Sequence, residues 1–269
     1  EVEYEPIELP GGLRPKVWRA KVASMAKAAD DVMIVQLAVE GDEPLLYYAG
    51  QYVNILLPDG AKRAFSFATA PGASPTIELQ VRRVAGGRYT THVFEQMKIG
   101  DTVEFEGPLG SFFLREDSAK PILFVAGATG FAPVKSMVEH AFATGLKRRM
   151  VLYWGTRSLR DMYARELCER WAKDHPDTFT FVPVLSEAKP EDHWTGRTGL
   201  VHEAILADFP TLAGHQVYAC GSVAMVEAAH PAFRARGMDP NDCFSDAFRL
   251  SPHLARETPQ EELVKLGGA

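Results

Sequence analysis

Between Pro121 and His140 the chain reads PILFVAGATGFAPVKSMVEH, and few folds accommodate that order. Pro121 to Ala126 is a short apolar run of the kind found in parallel strands buried on both faces. It breaks into Gly127-Ala128-Thr129-Gly130. Val134, Met137, Val138 and Ala141 then recur at three- and four-residue steps, the period of a helix with one apolar side. Pro133 suits a first helical turn, where its missing N–H is not needed. A strand, a glycine turn and a helix in succession aim unpaired N–H groups and the positive end of a helix dipole at one spot, which suits a phosphate. The turn is neither G-x-G-x-x-G nor G-x-x-x-x-G-K-S/T, so alone it fits a dinucleotide cradle and an ordinary loop about equally.

At 269 residues the chain is long enough for two domains, and its style changes once. From Trp18 to Phe105 the pattern is strand-like. Val35, Leu37 and Val39 alternate, as do Val53, Ile55 and Leu57, and Ile77, Leu79 and Val81 stand against Glu78, Gln80 and Arg82. Turn signals at Gly41-Asp42, Pro58-Asp59-Gly60 and Pro71-Gly72 separate these runs. Glu106 to Gly110 reads as a further tight turn. With one helical interruption, Thr91 to Met97, the spacing predicts a small antiparallel barrel.

Past Arg115, apolar strands at Ile122–Ala126, Met150–Trp154, Thr178–Leu185, Gln216–Cys220 and Asp242–Phe248 alternate with helical segments. Leu159, Met162, Tyr163, Leu167 and Trp171 share the face of one helix, and Ser222 is placed to cap another that carries Val223, Val226, Ala229 and Phe233. Such alternation predicts a doubly wound parallel sheet with its ligand at the carboxyl ends of the strands. The expected fold class is therefore β plus α/β, a barrel over residues 16–116 followed by a nucleotide-binding sheet over 117–250. Residues 1–15 are expected to form a linker or extended arm. Residues 251–269 form a tail in which Gln260 to Leu266 has a helical turn or two.

The formal net charge of −6 and the lack of a concentrated basic run argue against a nucleic-acid surface. The densest cluster, Lys147-Arg148-Arg149, reads as a solvated helix end before a strand. Cys168, Cys220 and Cys243 are odd in number and far apart, without the C-x2-C or C-x4-C-x2-C spacing of a zinc ribbon or a plant-type iron–sulfur cluster. No metal site is expected, and a reduced, cytoplasmic setting fits. The acidic start is no signal peptide, and the longest apolar run is too short for a bilayer. The first residue is not Met, which suggests a processed or truncated piece.

Arg63-Ala64-Phe65-Ser66 opens a strand of the barrel. Its Arg is able to clamp a phosphate, and its hydroxyl to hydrogen-bond a ring nitrogen; an edge-strand Arg beside a strand Ser is the plainer alternative. Gly86-Gly87-Arg88-Tyr89-Thr90-Thr91 leads into the barrel's helix, either as a second anion cradle with Thr90 or Thr91 as cap or as a capped helix only. Cys220 lacks the His partner of a nucleophile, and the eight His residues show no H-E-x-x-H spacing.

In order, RAFS, GGRYTT, EGPLG, GATGFAP, YWGTR and YACGS with Met225-Val226 resemble the ferredoxin–NADP reductase superfamily, and within it the bacterial reductases that feed electrons to oxygenases. The resemblance runs from about Trp18 to Phe248. It implies an FAD-dependent NAD(P)H reductase in which Arg63 contacts the flavin phosphate, Ser66 hydrogen-bonds flavin N5, and Phe65, with Phe67 beside it, lies at the flavin. Gly87, Tyr89, Thr90 and Thr91 would wrap the FAD pyrophosphate. Gly127, Ala128, Thr129, Gly130 and Pro133 would take the nicotinamide dinucleotide, with Thr129 near the nicotinamide, and Gly155 and Arg157 would line its adenosine half. Cys220 and Gly221 would frame the hydride-transfer site, and Phe248 would neighbour the flavin ring. By this resemblance Ser66, Thr129, Cys220 and Phe248 are the catalytic set. Two departures are visible: Phe65 stands where many members have Tyr, and Phe248 is followed by a tail.

The bottom-up reading agrees, since two phosphate-ready glycine turns would place two ring systems at a shared cleft where alignment is the protein's task. Asp161 and Glu166, interleaved with Arg157, Arg160 and Arg165, favour NADH over NADPH. The partners implied are a 2Fe-2S ferredoxin domain or protein and an oxygenase component. The alternatives are a reductase that releases reduced flavin and a flavin- or dinucleotide-binding sensor without turnover.

Overall fold

A computed structural model of the chain describes residues 12–248. Most of the expected arm, and all of the tail with its Gln260–Leu266 stretch, lie outside the described residues. Within them are two six-stranded sheets.

The first sheet is built from β1 (Lys16–Ala29), β2 (Val32–Val39), β3 (Tyr52–Leu56), β4 (Lys62–Ser66), β5 (Thr76–Arg82) and β6 (Thr102–Leu109), in the order β4-β3-β6-β1-β2-β5 with every pairing antiparallel. Trp18, Ala20 and Val22 of β1 alternate with exposed neighbours and bury with Val35, Leu37, Val53, Ile55, Ile77, Leu79, Val81 and Phe105 in one core, as strand period requires. Past the end of β4 the chain meets β5: the Ala68 N–H donates to the Glu78 carbonyl at 2.9 Å, and the Glu78 N–H donates to Thr69 Oγ1 at 2.7 Å. These bonds close the sheet into the expected barrel. The helix α1 (Arg88–Glu95) begins three residues before the predicted start. No tight turn forms at Glu106 to Gly110. Instead β6 runs on to Leu109 opposite Tyr52, because β1 and β3 flank it on both sides.

The second sheet contains β7 (Ile122–Gly127), β8 (Met150–Thr156), β9 (Phe179–Leu185), β10 (Arg197–Thr198), β11 (Gln216–Ser222) and β12 (Cys243–Phe248), all parallel, in the order β10-β9-β8-β7-β11-β12. Helices α2 (Phe131–Ala143) and α3 (Arg165–Asp174) pack against Ile122, Phe124 and Ala126 on one face. Helices α4 (Val201–Asp208) and α5 (Val223–Ala235) pack against Leu123 and Val125 on the other. The sheet is therefore doubly wound, and the strand order reverses between β7 and β11, where such folds open a crevice. Ser222 caps α5 as expected, its Oγ accepting from the Met225 N–H at 3.1 Å.

Two expectations are corrected. The apolar face from Leu159 to Trp171 is not one helix. A 3-10 turn at Leu159–Asp161 is capped by Ser158, whose N–H and hydroxyl both bond Asp161 Oδ2, and Met162 to Ala164 separate it from α3. Nor is Arg148 solvated. It is 6% exposed and donates to the carbonyls of Lys120 and Arg115 and to Gln216 Oε1. Among the described residues no helix is long and apolar enough to cross a membrane.

The barrel loops enter the core of the second sheet, where Ala49, Phe112 and Leu114 join Met137 and Val138 of α2. Gly50 allows this approach: its φ is +109°, and an added Cβ would lie 2.2 Å from Met137 Cε and 2.8 Å from the Phe112 carbonyl oxygen. Gly50→Ala is therefore expected to lower the unfolding free energy by about 2–4 kcal/mol, from strain and overpacking together. The urea midpoint reads it, and an unchanged midpoint would mean that this contact gives way without cost.

Candidate active site

At the switch point, β7 ends in Gly127 and passes into a 3-10 turn, Ala128–Gly130, that feeds directly into α2. Ala128 has φ +46°, left-handed backbone that a residue with a Cβ adopts rarely and mostly at special sites. Its carbonyl accepts from Trp154 Nε1 at 3.0 Å, which holds the turn on β8. A Cβ on Gly130 would fall 2.0 Å from the Cys220 carbonyl oxygen, so only glycine lets the turn rest on the end of β11. Pro133 is buried in the first turn of α2. Thr129 is nearly buried, with its hydroxyl in no hydrogen bond among the described residues. The turn thus presents helix N–H groups and a free hydroxyl to the crevice.

On the barrel, β4 carries three of the expected residues. Arg63 donates to the Lys62 carbonyl at 2.8 Å. It has no carboxylate partner among the described residues, whereas Lys62 pairs with Glu106 and Arg88 with Asp59. Ser66 is 5% exposed, and its Oγ is the one buried side-chain polar atom among the described residues without a hydrogen bond. Such an orphan costs stability unless something meets it. Phe65 sits with its ring 5.6 Å from that of Tyr89.

Other expected residues turn inward. Phe67 is fully buried and stacks on Tyr47 at 4.0 Å, so its ring belongs to the barrel core and offers no face to a ligand. Tyr89 likewise belongs to that core, and burial pushes its hydroxyl pKa far up. The cap of α1 is Gly87, not Thr90 or Thr91. Thr90 Oγ1 is spent inside the loop, accepting from the Val84 N–H and donating to the Gly87 carbonyl, both at 3.1 Å, while the Thr91 N–H bonds that same carbonyl. Gly155 faces α4, where a Cβ would come 2.9 Å from Val201 Cβ, so its bareness serves helix packing.

Cys220 is fully buried in the cluster that holds Ala126, Phe131 and Trp154. Burial, with Asp246 adding to it, keeps the thiol protonated. The residue is shut off from solvent, the setting of an inert structural cysteine. Gly221 lies beside it against Met225 and Gly127. Phe248 ends β12 opposite Ser222, and its side chain lies outside the described residues.

Two residues at this junction escape a reading of the sequence. Tyr52 is the cross-strand partner of Ser66, and Asp246 is the partner of Cys220 across β11 and β12. Burial pushes the Asp246 carboxyl above the usual carboxylate range, and burial first, then the Asp246 charge, raises the pKa of both Tyr52 and Cys220. An acid in the middle of a strand that pairs with the sheet core was the signal available. A small gap between the two sheets is lined by Asp31 and Arg82 of the barrel and by Ala128, Thr156, Arg157 and Tyr163 of the wound sheet. Arg157 and Ala128 thus face the same gap.

Residues 19–114 match the sequence profile of the oxidoreductase FAD-binding domain, and residues 124–231 that of the oxidoreductase NAD-binding domain. The chain is 40% identical over 248 residues to the CDP-6-deoxy-L-threo-D-glycero-4-hexulose-3-dehydrase reductase of Yersinia pseudotuberculosis, covering 92% of this chain and 73% of that one. It is 38% identical over 226 residues to the phenol hydroxylase P5 protein of Acinetobacter pittii, with 83% of this chain and 64% of that protein covered. The crystal structure of the Amycolatopsis cytochrome P450 reductase GcoB superposes with a TM-score of 0.80 at 36% identity, covering 87% of this chain and 70% of that one.

The unpaired hydroxyl gives a prediction of unusual sign. Ser66→Ala is expected to stabilise the ligand-free protein by roughly 1–3 kcal/mol, since it removes an unsatisfied buried group. A urea midpoint that falls instead would mean the hydroxyl already has a partner.

Proposed function

The chain belongs to the ferredoxin–NADP reductase-like family of FAD-dependent NAD(P)H oxidoreductases, and from that premise we propose that it takes hydride from NADH and passes electrons singly to a 2Fe-2S ferredoxin domain or protein serving an oxygenase. Residues 16–116 would hold FAD and residues 117–250 the dinucleotide. Support for the acceptor comes from relatives that are named reductase components of oxygenase systems, for phenol, terephthalate and naphthalene.

The observation that carries the reading is the orphaned Ser66 Oγ at the end of β4, three residues beyond an Arg that lacks a carboxylate partner. A flavin fits both vacant bonding positions: a ring nitrogen would satisfy the hydroxyl, and a phosphate the guanidinium. Bound FAD supplies the two-electron to one-electron conversion, accepting hydride at N5 and releasing electrons one at a time. The chain's own part is orientation. In this reading Ser66 fixes the ring edge, Phe65 lies against it, and the loop from Gly87 to Thr91 follows the pyrophosphate with its backbone. The turn from Gly127 to Pro133 takes the dinucleotide phosphates, Thr129 holds the nicotinamide end, and Gly155 to Arg157 the adenosine end. Gly221 and the Cys220 backbone close the floor. Asp246, whose carboxyl binds a proton more readily than usual, is positioned to hold a proton near Tyr52 and Ser66.

The adenosine end favours NADH. Arg165 is engaged by Glu169 at 2.6 Å, Arg160 reaches toward Asp30 at 3.9 Å, and Asp161, which accepts from Ser158, is interleaved with them, an arrangement that suits a free ribose better than a 2′-phosphate. Anaerobic mixing of FAD-loaded protein with NADH is expected to bleach the flavin's visible absorbance, and a yellow protein that stays yellow would refute the reading. The ratio of kcat/KM for NADH over NADPH is expected to reach about tenfold or more, equivalent to about 1.4 kcal/mol; parity would mean the arginines rearrange to accept the extra phosphate. Cytochrome c reduction that requires an added 2Fe-2S ferredoxin would separate this acceptor from release of reduced flavin.

A further inference from the structure

The second turn of α2 carries a polar pair that the reading above leaves without a role. Ser136 is fully buried, and its Oγ donates to the Thr69 carbonyl at 2.7 Å. Lys135 Nζ donates to the Ala68 carbonyl at 3.1 Å. Both carbonyls belong to the barrel and lie two and three residues past Ser66. Both donors sit six residues past Thr129 and Gly130, on the helix that the glycine turn begins. One short double contact thus joins the two segments that carry the proposed flavin and nicotinamide contacts.

The ammonium of Lys135 also lies 3.5 Å from Glu78 of β5 and 3.1 Å from Glu139, and the Lys135 and Glu78 side chains are only 13% and 11% exposed. Glu78 in turn accepts from Gln36 and Gln80, and Gln80 accepts from Tyr163 at 2.6 Å. Burying such a network is a poor way to gain stability, because desolvation offsets most of the attraction and apolar packing does as well. What it supplies is a single permitted register. An apolar contact between α2 and β5 tolerates a slide of an ångström, whereas a buried ammonium held by a carbonyl and two carboxylates does not. The segment Ala68–Thr69 is gripped from both sides, by β5 through the Glu78 backbone and by α2 through Lys135 and Ser136.

We propose that Lys135 and Ser136 are positioning residues for hydride transfer: by bolting the chain after Ser66 to the helix after Thr129, they set the distance and angle at which the two rings meet. The proposal rests on the functional reading above. Loss of the clamp leaves both ligand cradles intact but lets them drift, and an ångström of misplacement between reacting atoms can cost up to about 100-fold in rate.

The test compares FAD-loaded wild type with Ser136→Ala, Lys135→Gln and Lys135→Arg. Ser136→Ala is the mild variant, because the Thr69 carbonyl keeps the Tyr47 hydroxyl at 3.0 Å as a donor. Three quantities are read: the single-turnover bleaching rate with NADH, the long-wavelength charge-transfer absorbance on adding NAD+ to the reduced protein, and the dissociation constants for FAD and NADH. For Ser136→Ala and Lys135→Gln the bleaching rate is expected to fall roughly tenfold or more and the charge-transfer band to weaken, with both dissociation constants unchanged; Lys135→Arg recovers most of the rate. Wild-type rates and an intact band in Ser136→Ala and Lys135→Gln would overturn the proposal, even if their thermal midpoints drop, since the pair would then be structural only. Should Lys135→Gln fail to fold, Ser136→Ala decides alone. Failure of the functional reading is separate: there, wild type itself does not bleach.

Discussion

Strand β5 is buried on both faces, and the architecture of the site depends on that. Ile77, Leu79 and Val81 fill the barrel, while Glu78 and Gln80 lie against α2 and the residues before α3 and are nearly as buried. A strand covered by apolar packing on one side and by a saturated polar network on the other has one resting place. The barrel therefore docks on the second sheet in a defined register. The glycine turn rests against Cys220 at the end of β11, whose neighbour across β12 is Asp246, while β4 ends at Ser66 beside Tyr52.

The two halves contribute different physics. The wound sheet gives fixed dipoles: a helix start, a left-handed Ala128 and a backbone so close to β11 that only Gly130 fits. Among the described residues, the barrel gives an Arg without a carboxylate partner and a buried hydroxyl without a hydrogen bond. The first are preorganised, and the buried hydroxyl is costly while it has no partner. Together they describe a protein whose ground state is tuned to being loaded.

Much of this was legible in the residue pattern because periodicity reports burial. The apolar run into Gly127-Ala128-Thr129-Gly130, the alternation in β3, and Ser222 as a cap all read directly into structure. What was not legible shares one cause: the covering element comes from far away in sequence. Alternation makes Glu78 and Gln80 look solvent-facing, and only the docking of α2 hides them. Arg148 looks like part of a basic surface cluster until Lys120, Arg115 and Gln216 close over it. Phe67 and Phe65 are two apart on one strand end, yet the first packs on Tyr47 and the second stays at the rim. Asp246 gains its meaning from Tyr52 and Cys220, neighbours supplied by other strands. The pattern after Gly87 invites a cap at Thr90 or Thr91, yet Gly87 takes that place because Thr90 bonds backward rather than forward.

The buried guanidinium of Arg148 bears on how such a molecule works as a machine. It grasps the stretch between barrel and sheet at Arg115 and Lys120, while the Tyr218 hydroxyl accepts from the Arg115 N–H at 2.9 Å. Flexing that stretch would strip several donors and acceptors of their partners where water has little access. The covalent crossing is therefore a splint rather than a joint. A hinge placed there would have to break those bonds, so the crossing braces the two halves against each other.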